Sequence, residues 1–220
     1  MKSIILNGVQ NMARRKDHSP EELKALVIGA VLGFLQNEPA KKLSLRQLAK
    51  MVGYSPGTLI NLFGSYAHLI LAANAATLDL IADKLSKALV NTQNPQDQLS
   101  VIALEYLNFA KQHPFQWQIL FEHHLAEEDE VPHWQLSRID GLFTLIEKCL
   151  EQLNPHSQND ERHKASRVIW AAVHGICMLE VDNKLFAQDS VTGESMINSL
   201  LSHYLGSWKI SNQHQGDDQQ

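Results

Sequence analysis

The chain has 220 residues, 44% of them apolar, enough to bury a substantial core. Its longest apolar run, residues 25–35, is far shorter than the roughly 20 residues that cross a bilayer. The net charge of −5 is uneven: residues 12–70 carry eight Lys/Arg against four acids, and residues 71–220 carry ten against twenty. A polyanionic partner is therefore expected at the N-terminal end only, against the bland alternative of chance surface variation.

In chain order, residues 1–18 read as a flexible arm carrying Arg14, Arg15 and Lys16, with no signal-peptide pattern. Ser19-Pro20-Glu21-Glu22 is a helix start: Ser caps, Pro suits the first turn and Glu22 completes a capping box. Leu23, Leu26, Val27, Ala30, Val31 and Phe34 then recur at helical spacing, and the helix is expected to end near Asn37, before Pro39. Short helices follow from Ser44 and from Ser55-Pro56, and a long one from Ser65 toward Val90. Further starts are Asn94-Pro95, His113-Pro114 and Val131-Pro132, and Asn154-Pro155 breaks the chain before a long helix ending near Lys184. The last helix carries Met196, Ile197, Leu200, Leu201, Tyr204, Leu205 and Trp208, and residues 211–220 form a polar tail expected to be disordered. With no strand signal, the expectation is an all-α fold of about nine helices, divided into a smaller N-terminal domain at 19–68 and a larger domain at 69–210. Cys149 and Cys177 lie in apolar helical stretches and read as buried thiols, with no sign of an oxidising compartment.

The informative stretch is residues 43–63, Leu-Ser-Leu-Arg-Gln-Leu-Ala-Lys-Met-Val-Gly-Tyr-Ser-Pro-Gly-Thr-Leu-Ile-Asn-Leu-Phe. Ala49, Gly53 and Leu59 stand where a helix-turn-helix needs a small residue at the crossing, positive φ in the turn and an apolar anchor on the second helix. Leu45, Leu48 and Val52 supply the facing side. The second helix then presents Thr58 and Asn61 outward, and the Ser55-Pro56-Gly57 start offers free backbone N–H groups to a phosphate. An ordinary pair of packed short helices is the alternative that spacing alone leaves open.

Residues 21–70 resemble the N-terminal domain of TetR-type transcription regulators, with residues 45–59 similar almost position by position. The resemblance implies a cytoplasmic, non-enzymatic homodimer that reads a near-palindromic double-stranded operator and is released by a small-molecule inducer, acting as a repressor. The residues expected at the DNA are Ser44, Ser55, Pro56, Gly57, Thr58, Ile60 and Asn61, with binding weaker than in the family or re-anchored on phosphates through Arg46, Tyr54, Tyr66 or the Arg14/Arg15 arm. The chain departs from the family pattern at Ile60, where Tyr is usual, at Leu62, where His is usual, and at Ser65-Tyr66-Ala67, where Ser-Lys-Glu is usual. The usual Tyr and Lys are phosphate contacts in the family. A degenerate relative acting through protein contacts is therefore the alternative function.

The family pairs through its last two helices. The resemblance thus places Trp170, Gly175, Ile197, Leu201, Tyr204 and Trp208 at a dimer interface, and Trp170…His174-Gly175 is similar to a Trp-x3-His-Gly motif of one subgroup. A ligand cavity is the family expectation for the remaining helices, with Phe109, Trp117, Phe121, Phe143 and His174 as candidates against simple core packing. His113, His123, His124 and His133 lie close together but lack His-x3-His spacing, so no metal site and no cofactor is expected. No nucleophile elbow, zinc-protease motif or phosphate loop is present, which argues against an enzyme.

Overall fold

In the computed structural model, residues 18–126, 128–185 and 191–210 are described. They form nine α-helices and a short 3-10 turn, with no strand among the described residues. These are α1 (Pro20–Phe34), the turn Ala40–Lys42, α2 (Leu45–Val52), α3 (Pro56–Phe63), α4 (Tyr66–Leu89), α5 (Pro95–Gln112), α6 (Pro114–Glu122), α7 (His133–Leu153), α8 (Asn159–Val181) and α9 (Gly193–Ile210).

The caps explain the starts. Ser19 accepts from Glu22 N while Glu22 returns a carboxylate oxygen to Ser19 N, the reciprocal capping box read from the sequence. Ser44, Ser55, Ser65 and Asn94 each accept from backbone N–H groups of the first turn of α2, α3, α4 and α5. Pro occupies the first turn of α1, α3, α5 and α6, where no intrahelical N–H is needed.

Two apolar clusters divide the chain. The N-terminal one gathers Leu23, Val27 and Val31 of α1, Leu48 and Ala49 of α2, Leu59 of α3, and Leu69, Ile70 and Ala73 of α4. The larger one is built from α5, α7, α8, α9 and the second half of α4. Because α4 contributes to both, its 24 residues tie the clusters together mechanically. Leu26, on the expected apolar face of α1, is exposed, since the buried stripe is centred on Leu23, Val27 and Val31.

Gly53 closes α2 at φ +78, in the left-handed region, and the following N–H, that of Tyr54, returns to Ala49 O at 3.0 Å. A Cβ there meets no neighbour within 4 Å, so the objection to a side chain is purely conformational. Gly53→Ala is expected to cost about 1–2 kcal/mol, seen as a lower denaturation midpoint with the helical circular dichroism kept.

Candidate DNA-reading helix, ligand cavity and dimer face

Helices α2 and α3, joined through a turn at Gly53, are the pair expected to form a helix-turn-helix. Ala49 and Leu59, one on each helix, are buried, at 1% and 0% exposure. Ser55 Oγ accepts from Thr58 N at 3.0 Å and lies 2.9 Å from Thr58 Oγ1, which fixes the first turn of α3. Pro56, Gly57 and Asn61 are exposed, and Thr58 and Ile60 are half-buried along the same helix. On α2, Arg46, Gln47 and Lys50 are exposed, and Ser44 is exposed at its cap. No residue of α3 is charged, so the basic groups of this surface come from α2 and its approach.

Two candidates are engaged inside the domain. Tyr66 donates its hydroxyl to Leu43 O at 2.8 Å, joining α4 to the segment that precedes α2, and half-burial raises its pKa. The Tyr54 hydroxyl lies 2.8 Å from His18 Nδ1, which ties the turn to the entrance of α1. Arg14 and Arg15, with the rest of the basic arm, lie outside the described residues, as does the tail at 211–220.

Between α4, α5, α6, α7 and α8 lies a cavity of about 300 Å³. Phe121 and Phe143 line it, as does Trp170, which the sequence reading assigned to the dimer interface. Trp117 and His174 stand behind this wall. The His174 ring sits 4.2 Å from Phe121, 4.8 Å from Trp117 and 5.3 Å from Trp170 between centroids, and its Nδ1 lies 3.0 Å from the Tyr106 hydroxyl. Phe109 is a correction: it is 2% exposed, away from the cavity lining, with its ring 4.9 Å from that of His113 and Lys84 lying over its face. The lining residues Tyr106 and Gln135 were missed. The available signal was Gln135 at the head of a stripe, Ile139, Leu142, Phe143 and Ile146, that is otherwise apolar.

Helix α6 touches both halves. Phe115 and Ile119 pack in the N-terminal cluster, whereas Leu120 and Phe121 line the cavity and Trp117 belongs to the larger core. Gln116 Nε2 donates to Leu32 O of α1 at 3.0 Å, and Ile119 O accepts from Asn74 Nδ2 of α4 at 3.2 Å. Nine residues thus connect the cavity wall to the packing of the helix-turn-helix.

Ile197 and Leu201 are a second correction: at 0% and 2% exposure they are packed in the core of their own protomer. Tyr204 and Trp208 are half-buried against the same core, and Trp208 Nε1 donates to Leu150 O at 3.3 Å. The apolar stripe of α9 faces inward because α5 and α8 close over it. The unpaired apolar face lies on α8 instead: Val168, Met178 and Leu179 are 44%, 49% and 41% exposed, Ala171 is exposed, and a Cβ on Gly175 would meet nothing within 4 Å. Positions 168, 171, 175 and 178 share one side of a helix.

Among the described residues, no three His, Cys, Asp or Glu side chains come together as a metal site, and no single helix is long and apolar enough to cross a membrane. Both thiols are buried, and burial pushes Cys149 to about 11 and Cys177 to about 12, so neither is a thiolate at neutral pH.

Burial lowers the pKa of His113, His123 and His174. A histidine with a depressed folded pKa leaves the unfolded chain binding more protons, so stability is full above the ordinary value and falls as pH drops below it. Chemical denaturation midpoints are therefore expected to decline as pH is taken below about 6.5, and His174→Gln is expected to flatten part of that slope. An unchanged slope would place the sensitivity on His113 and His123.

A family model described as the tetracyclin repressor-like C-terminal domain matches residues 99–203. No curated protein matches the sequence. Among solved structures, the fold is shared with a protein of unknown function from Rhodococcus sp. RHA1 (TM-score 0.70, 16% identity, covering 88% of this chain and 98% of that one). It is shared also with a putative transcriptional regulator from Pseudomonas aeruginosa PAO1 (0.62, 16%, 93% and 98%) and a TetR transcriptional regulator from Rhodococcus sp. RHA1 (0.60, 14%, 85% and 98%). Residues 99–203 thus match a tetracyclin repressor-like C-terminal domain, and the chain as a whole shares the helical fold of these structures.

Proposed function

We propose that the protein is a transcription regulator that binds double-stranded operator DNA as a homodimer through α3 and lets go when a small molecule fills the cavity. The carrying observation is α6, whose residues stand in the cavity wall at Leu120 and Phe121 and in the reading-head core at Phe115 and Ile119. A ligand that shifts α6 has to move Gln116 against α1, and so changes the angle at which α3 is offered. We infer that it acts as a repressor, in the cytoplasm.

The chemistry of α3 indicates what it reads. It has no Arg or Lys for guanine, but Asn61 can bond the N6/N7 edge of adenine, and Thr58 and Ile60 offer methyl groups to thymine. The N–H groups at Ser55-Pro56-Gly57 and the exposed Arg46 and Lys50 supply phosphate contacts. Dimerisation is assigned to the α8 stripe Val168, Ala171, Gly175 and Met178, because a two-fold protein matches a near-palindromic site.

The test is operator selection from random duplexes, followed by binding of Asn61→Ala and Thr58→Ala. Each is expected to lose about 1–3 kcal/mol per half-site with the dimer intact by sedimentation. If the unmodified dimer selects no sequence at low salt, the reading fails, and the alternative of a relative working through protein contacts takes its place.

A further inference from the structure

The lining of the cavity is informative about what fills it. None of the lining side chains is Asp, Glu, Lys, Arg or His, and the polar ones are Tyr106 and Gln135. The Tyr106 hydroxyl is already paired with His174 Nδ1. Gln135 is only 5% exposed, and its Oε1 has no hydrogen-bond partner among the described residues. A buried amide oxygen left unpaired is costly, which makes it a place for a ligand to bond.

The charges nearest the cavity are spent elsewhere. Arg138, three residues beyond Gln135, donates to both carboxylate oxygens of Asp79, at 2.8 and 3.1 Å, and to Trp134 O. Arg167 lies 4.0 Å over the Phe143 ring and is paired with Glu147. An ionised ligand in the cavity would therefore lose its hydration with no counter-charge to replace it.

We propose, building on the effector reading above, that the cavity takes an uncharged, largely apolar molecule carrying a hydroxyl or similar hydrogen-bond donor, held by Gln135 Oε1. The apolar walls supply the affinity, and the amide sets the orientation. Bonding from the ligand would also tie the start of α7 to the cavity that Phe121 of α6 lines.

The experiment titrates the full chain with 1-octanol, its isomer heptyl methyl ether, octanoate at pH 8 and octyltrimethylammonium, followed by tryptophan fluorescence, since Trp170 lines the cavity. The alcohol is expected to bind at least about a hundredfold more tightly than either ion. It is expected to bind about fivefold more tightly than the ether, which cannot donate. Gln135→Leu is expected to abolish or reverse that margin while the ether still binds. The proposal is overturned if either ion binds within tenfold of the alcohol, if no probe binds up to its solubility, or if the alcohol shows no margin over the ether. It is equally overturned if Gln135→Leu keeps that margin. The ether comparison on the unmodified protein decides the matter even where Gln135→Leu does not fold. DNA is absent from the assay, so its outcome is separate from that of operator selection.

Discussion

Ala171→Glu is expected to break the proposed homodimer into monomers, with the dissociation constant raised at least about a hundredfold, or about 3 kcal/mol. Ala171 sits in the middle of the exposed stripe Val168, Ala171, Gly175 and Met178, where no neighbour within the protomer needs its methyl group. A two-fold axis brings the same surface of both copies together, so a single substitution enters the interface twice. Two carboxylates are then desolvated close to each other, and burial and repulsion act in the same direction. Sedimentation velocity measures the change, with Ser86→Glu on the exposed side of α4 as the matched surface control. Operator affinity is expected to collapse with the dimer, because two half-sites can no longer be engaged by one particle. A dimer that survives Ala171→Glu would move the interface off α8.

Phe109→Ala is expected to cost about 3–5 kcal/mol of stability, a large share of the roughly 5–15 kcal/mol available to a protein of this kind. The ring is 2% exposed, packed among α5 neighbours and His113, and its loss leaves a void that a tightly packed core cannot close. Affinity of the cavity for 1-octanol, measured well below the unfolding transition, is expected to stay the same. Phe143→Ala should show the opposite balance. Its ring is half-buried and lines the cavity, so ligand affinity changes more than stability. Equal effects of both substitutions on ligand affinity would put Phe109 back in the binding site.

The misplaced residues share a cause. Phe109 was read as pocket, and Trp170, Ile197 and Leu201 as interface, and both kinds of surface are apolar. A stretch that is apolar nearly all round, such as residues 168–179 of α8, contacts several partners at once. Periodicity tells that a face is covered without naming what covers it. Ile197 and Leu201 show the same limit on α9, where the covering surface turned out to be the protomer's own core.

What the sequence determined by itself was local. The Ser caps and Pro first turns set where helices begin, because those interactions span three or four residues. Ala49, Gly53 and Leu59 determined how α2 turns into α3, because the buried contacts and the positive φ are satisfied within one short segment. Tertiary structure alone decided that Tyr66 turns inward to Leu43 O, 23 residues away. It decided too that α6 serves both clusters, and that Gln135 Oε1 stands in an apolar wall without a partner among the described residues. Each of these depends on which helices meet, and that is settled by the summed packing of the whole chain rather than by any short stretch of it.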